Sequence, residues 1–221
     1  MQTPTGTDDQ SHMLQIMTTE HFTLQTARSS TIAETNGRCS IYLNSVSGVV
    51  VALAFIGQVS QMGEAFFIFG AVLFPSLLFL GFTTFVRVLQ SGIEDMIYAR
   101  GINRIRHFYV QIVPPTNDYF ILPTYDDIAS SSLRSLGVIP AGWQLFMTAA
   151  GMVEVINSII AGVLAGMAAS RLPGWSLVAC AVLGVGVFLV SAFAHQRYQA
   201  AYWDRVERHL EVRFPSPAEP Q

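Results

Sequence analysis

Four long apolar runs, at residues 41–60, 66–89, 142–168 and 174–195, set the pattern of the chain. Each holds about 20 or more mostly apolar residues, which is what a helix needs to cross the ~30 Å hydrocarbon of a bilayer. Hydrocarbon offers nothing to an unpaired backbone amide, so each run predicts a transmembrane helix. The turn at 61–65 is short, which makes the first two spans antiparallel neighbours, and a second short turn joins the last two. The expected fold class is all-α: a polytopic membrane protein with four transmembrane helices and cytoplasmic helical extensions.

The polar stretches divide the rest. Residues 1–17, with Pro4 and Gly6 among polar neighbours, read as a disordered tail. A lead-in helix is expected over 18–40. Its apolar positions (Phe22, Ala27, Ile32, Ala33) form a weak stripe, which suits an interfacial or oligomer-forming helix or, equally, a solvated lead-in. Transmembrane hairpins follow at 41–89 and 142–195, separated by a loop at 90–141, and a C-terminal helix and tail occupy 196–221. The loop begins helically, on Ile93, Met96, Ile97, Ile102 and Ile105. Pro114, Pro115 and Pro123 then exclude helix. Asp126 and Asp127 precede Ser130–Ser132 and a short helix up to Gly137. Pro75 should kink the second span, and Pro215 and Pro217 should end the last helix.

Charge orients this plan. All 12 basic residues are arginine, and only Arg171 lies in a turn within a hairpin. The other 11 flank faces that share one side, a positive-inside pattern that puts both termini and the 90–141 loop in the cytoplasm. A net charge of −3 argues against nucleic acid as a partner. Membrane lipid is the expected one. Cys39 and Cys180 would lie roughly 20 Å or more apart along their helices, beyond disulfide reach.

Glu154 is the most informative single residue. Counted from residue 142 it lies roughly 18 Å into the third span, near mid-bilayer. An exposed carboxylate there costs at least about 2.5–3.5 kcal/mol, so it must face the bundle, a water-filled path or another subunit. Asn157 and Ser158 share its face, one turn on. The three suit an ion or proton path, or a protonated acid acting as packing glue. Gly162 and Gly166 form a G-x-x-x-G pair for helix packing, within the chain or between copies. Arg100, Arg104 and Arg106 could contact anionic lipid or a phosphorylated ligand, or serve only as charge anchors. The five scattered histidines make no metal-ligand spacing, and no nucleophile elbow or phosphate loop is present. No catalytic residue, metal or cofactor is expected, and the protein reads as non-enzymatic.

The order of parts carries a resemblance. A polar helix, then Asn36-Gly37-Arg38-Cys39-Ser40 leading into the first span, a short turn and a long helical extension occupy roughly residues 20–107. This layout resembles the small transmembrane effectors of bacterial nucleotide-signalled antiphage defence, the Pycsar transmembrane effectors and the SLATT-type effectors. The second pair of spans and the Pro-rich 113–127 segment depart from the simplest form of either. The resemblance implies a homo-oligomer in the bacterial inner membrane. It implies a cyclic nucleotide as ligand, supplied by a partner nucleotide cyclase, and membrane disruption as the outcome. It carries over no binding residue. The residues themselves leave two other readings: a small ion or proton channel or transporter centred on Glu154, and a membrane scaffold or accessory subunit.

Overall fold

A computed structural model describes residues 7–127 and 142–217. Helix α1 spans Thr7–Val59 and α2 spans Glu64–Ile112. Among the described residues two short 3-10 turns follow, Pro114–Tyr119 and Gly142–Met147, then α3 at Ala149–Ala169 and α4 at Leu177–His209. The described residues contain no strand. Among the described residues four helices are long and apolar enough to cross a membrane, so the all-α, multi-pass expectation holds.

Several boundaries differ from those expected. Residues 7–17 are helical where a disordered tail is expected, because α1 already begins at Thr7, and residues 1–6 lie outside the described residues. Asp8 and Asp9 sit in its first turn, where carboxylates favour the helix dipole, and Ser11 bonds back to the Asp8 carbonyl at 2.8 Å. Pro114 and Pro115 do not abolish helix. They open a 3-10 turn in its first positions, where a missing N–H costs nothing. The third span begins as a 3-10 turn too, and its α-helix starts only at Ala149, capped by the Thr148 hydroxyl, which accepts from the Gly151 amide at 3.0 Å. The last helix stops at His209, ahead of the prolines, because the residues after it bond elsewhere. Ser130–Ser132 and the short helix expected up to Gly137 lie outside the described residues. Helix α2 runs through Pro75 without interruption.

The chain forms two compact units. One, the bundle unit, comprises Glu34–Gln90 and Ala141–Arg208. Its core has two layers. Tyr42, Phe85, Val88, Leu89 and Val153 make the first, and Leu53, Phe74, Leu77 and Ile160 the second. The outside of this unit is apolar as well: Phe55, Val72, Phe79, Leu189, Val190 and Phe193 are all exposed. A surface of that kind belongs in lipid. Helices α3 and α4 touch at glycines. A Cβ on Gly162 would stand 2.6 Å from the Gly184 carbonyl oxygen, and one on Gly166 would stand 3.2 Å from that of Cys180. The G-x-x-x-G pair therefore packs within the chain. Both cysteines are free and buried. At Glu34, outside the apolar runs, bonds from Arg87 and Arg38 hold the carboxyl at about 2.

The other unit, the clasp unit, comprises Met1–Ala33, Ser91–Pro140 and His209–Gln221. In it the start of α1 packs on the later half of α2. Arg28 pairs with Asp95 through two bonds of 2.7 and 3.1 Å, His21 stacks on Tyr109, and Leu24 covers Gly101. The lead-in helix is thus neither bare nor solvated on every face. The segment after α4 is fastened by acids of the loop. Asp126, fully buried, accepts from the Arg213 and Phe214 amides and from Arg104 at 2.5 Å, while its own amide donates to the Phe214 carbonyl. Asp127 accepts from the Ser216 amide and hydroxyl. The Phe214 ring lies on His107, centroids 4.0 Å apart.

Candidate functional site

The bundle unit contains a seam of polar side chains where a core would ordinarily be apolar. It starts from the face of α3 that carries Glu154, Asn157 and Ser158, which are 0, 2 and 0 % exposed. Residues three and four apart on a helix share a face, so one packing orientation turns all three inward. Each then meets a different partner. The Gln196 amide of α4 donates to Glu154 Oε2 at 3.0 Å. The Tyr42 hydroxyl of α1 donates to Asn157 Oδ1 at 2.8 Å. The Ser158 hydroxyl donates to Ser191 Oγ on α4 at 3.1 Å. His195 Nδ1 lies 2.8 Å from the Ser191 carbonyl, which can only accept, so the ring proton sits on Nδ1. Phe85 packs edge-on against that imidazole, with centroids 4.9 Å apart.

The depth of Glu154 changes with the helix start. It is the sixth residue of α3, roughly 8 Å from its beginning at 1.5 Å per residue. Its partner Gln196 is the first residue beyond the apolar run 174–195. Glu154 therefore belongs to the end of the bundle and not to its middle. The estimate from sequence fails because residues 142–147 wind as a 3-10 turn and do not extend α3.

Two acceptors here remain open. Glu154 Oε1 and Gln199 Oε1 are buried and have no hydrogen-bond partner. Gln199 lies one turn beyond Gln196 and is 1 % exposed. An unmet buried acceptor costs about 1–3 kcal/mol, so the seam has a standing demand for a donor: a proton, a water or a cation. The hydroxyl and imidazole groups of Ser158, Ser191 and His195 add exchangeable protons alongside. Among the described residues no group of three or more His, Cys, Asp or Glu could hold a metal ion.

The candidate arginines fall in the clasp unit. Arg100 is buried, and its Nη2 donates to the Glu211 carbonyl at 3.2 Å. Arg104 donates to the same carbonyl at 2.6 Å and pairs with Asp126. These two hold the chain's own C-terminal segment. Arg106 differs: its one side-chain bond among the described residues goes to neutral Asn103 Oδ1, at 3.3 Å. Burial and the nearby charge of Arg28 push its pKa below the ordinary value, and burial with the Arg106 charge lowers that of His21. Arg106 thus lies near one other cation, Arg28, which is itself paired with Asp95, and has no carboxylate bonded to it among the described residues.

Sequence reasoning named the α3 residues but missed Tyr42, Ser191, His195, Gln196 and Gln199. The available signal was polar side chains at the margins of two apolar runs, which looks the same as a membrane boundary. Comparison of the chain with protein-family models, with curated proteins and with solved structures finds no match.

Proposed function

We propose that this chain is a non-enzymatic, membrane-perturbing effector of the bacterial inner membrane, with both termini cytoplasmic. On this reading it rests closed and is opened by an anionic nucleotide signal of antiphage defence. Arg106 carries the proposal. It is half-buried, has no carboxylate bonded to it among the described residues, and stands on α2 beside His21 and Tyr109, whose stacked rings offer a flat neighbour for a base. Helix α2 also supplies Phe74 and Phe85 to the bundle core, so a ligand held at Arg106 would act on a helix of the bundle. The burial of Glu154, Asn157 and Ser158, each bonded to another helix, suits a protein that is harmless until triggered. Homo-oligomerisation and a neighbouring nucleotide cyclase belong to the same proposal.

The test is membrane potential in cells expressing the chain, with cyclic mono- and dinucleotides supplied one at a time. Depolarisation is expected with one nucleotide and none without it. Arg106→Gln should abolish the response while the protein stays in the membrane. Intact potential with every nucleotide would end this reading.

A second reading, a small ion or proton transporter, draws on the open Glu154 Oε1. It predicts constitutive flux in proteoliposomes that Glu154→Gln removes without unfolding the chain. Unchanged flux would take Glu154 out of the path.

A further inference from the structure

The opposite end of the bundle unit holds a groove of about 590 Å³ between the start of α2, the end of α3 and the start of α4. Phe67 and Ser170 are at its mouth, and its walls run down to Ile159 on α3 and Phe188 on α4. From Ser170 to Ile159, and from Leu177 to Phe188, is 11 residues, or roughly 17 Å of helix at 1.5 Å per residue. That is about half of a ~30 Å hydrocarbon core, the depth of one leaflet. Apart from Ser170 the groove is lined by apolar side chains and glycines. The glycines do not invite a second helix, because Gly162 and Gly184 are already in contact with each other.

A cation stands at the mouth. The Arg171 guanidinium lies over the Phe67 ring, 4.5 Å from its centroid. Arg171 is exposed and makes no side-chain hydrogen bond or ion pair among the described residues. It is also the sole basic residue in either hairpin turn. An apolar slot one leaflet deep, with one unpaired cation at its polar end, is the imprint of a chain with an anionic head. We infer that the groove binds one phospholipid, its acyl chain along α3 and α4 and its phosphate on Arg171. The site is independent of the seam and of any nucleotide signal.

The test uses the full chain in nanodiscs of mixed phosphatidylglycerol and phosphatidylcholine, released into native mass spectrometry. One retained phospholipid is expected, enriched in phosphatidylglycerol. Arg171→Gln should reduce that enrichment by about fivefold, the factor for ~1 kcal/mol per basic residue at a membrane surface, and leave a lipid bound. Val163→Trp on one wall and Ile159→Trp on the same helix should fill the slot and strip both lipids, with helix content by circular dichroism unchanged. Two wall variants guard against one that misfolds. Equal lipid retention in wild type and all folded variants would overturn the inference. So would displacement of the lipid by inorganic phosphate alone, or a dimer mass that carries no lipid.

Discussion

At the scale of residues, the seam depends on one small neighbour. A Cβ on Gly81 would stand 1.9 Å from Asn157 Oδ1, the atom that accepts the Tyr42 hydroxyl. Gly81→Ala should therefore evict the Asn157 side chain and leave Tyr42 buried without an acceptor. A loss of about 1–3 kcal/mol is expected in detergent unfolding, and an unchanged midpoint would contradict this geometry. Some of these particulars were legible beforehand. The three inward residues of α3 follow from helical spacing and the cost of a carboxylate in lipid. Their partners do not, because nothing local in Gln196 or Tyr42 says which helix each will face. Arg208 makes the same point on a small scale. Its spacing suggests a pair with the Asp204 carboxylate, yet its Nε donates to the Asp204 carbonyl at 3.0 Å.

At the scale of elements, hydropathy located the spans but not how they begin and end. Those ends are set by particular bonds, such as the Thr148 cap and the acids that hold residues 213–216. Asp126 gives this a pH dependence. Burial opposes its charge, but the Phe214 amide, Arg104 and the Arg213 amide outweigh burial and hold its pKa below the ordinary value. A lowered carboxyl pKa contributes stability above the unfolded value of about 3.9, and that stability is lost as pH falls through the folded value. Acid should release the C-terminal segment. Asp126→Ala should release it at neutral pH, with amide exchange at Arg213 and Phe214 faster by at least about tenfold. Protection unchanged in that variant would refute the fastening. The glycine contact offers a graded check. Gly162→Ala should destabilise the hairpin of α3 and α4 by about 1–3 kcal/mol, and Gly166→Ala by less, because its Cβ would stand farther from the opposing backbone. The reverse order would contradict the packing described.

At the scale of the whole molecule, the proposed topology puts the two hairpin turns on one side and the clasp segments on the other. Cysteines placed at exposed Trp175 and exposed Tyr119 separate the sides. In intact spheroplasts a membrane-impermeant maleimide should label the first, and the second only after permeabilisation. Background should be low, since both native cysteines are buried. Equal labelling of both sites would reverse the arginine argument. The clasp has a further consequence, for the order in which the protein is made. Its two sides, residues 124–127 and 211–217, are separated in sequence by α3 and α4. The ribosome therefore finishes the second hairpin before Asp126 can meet Phe214. A chain arrested within that hairpin would leave Asp126 charged, with Arg104 as its remaining partner and no amide to accept from. Closure of the clasp thus cannot precede synthesis of α3 and α4, so the bonds at Asp126 report that the second hairpin has already been made.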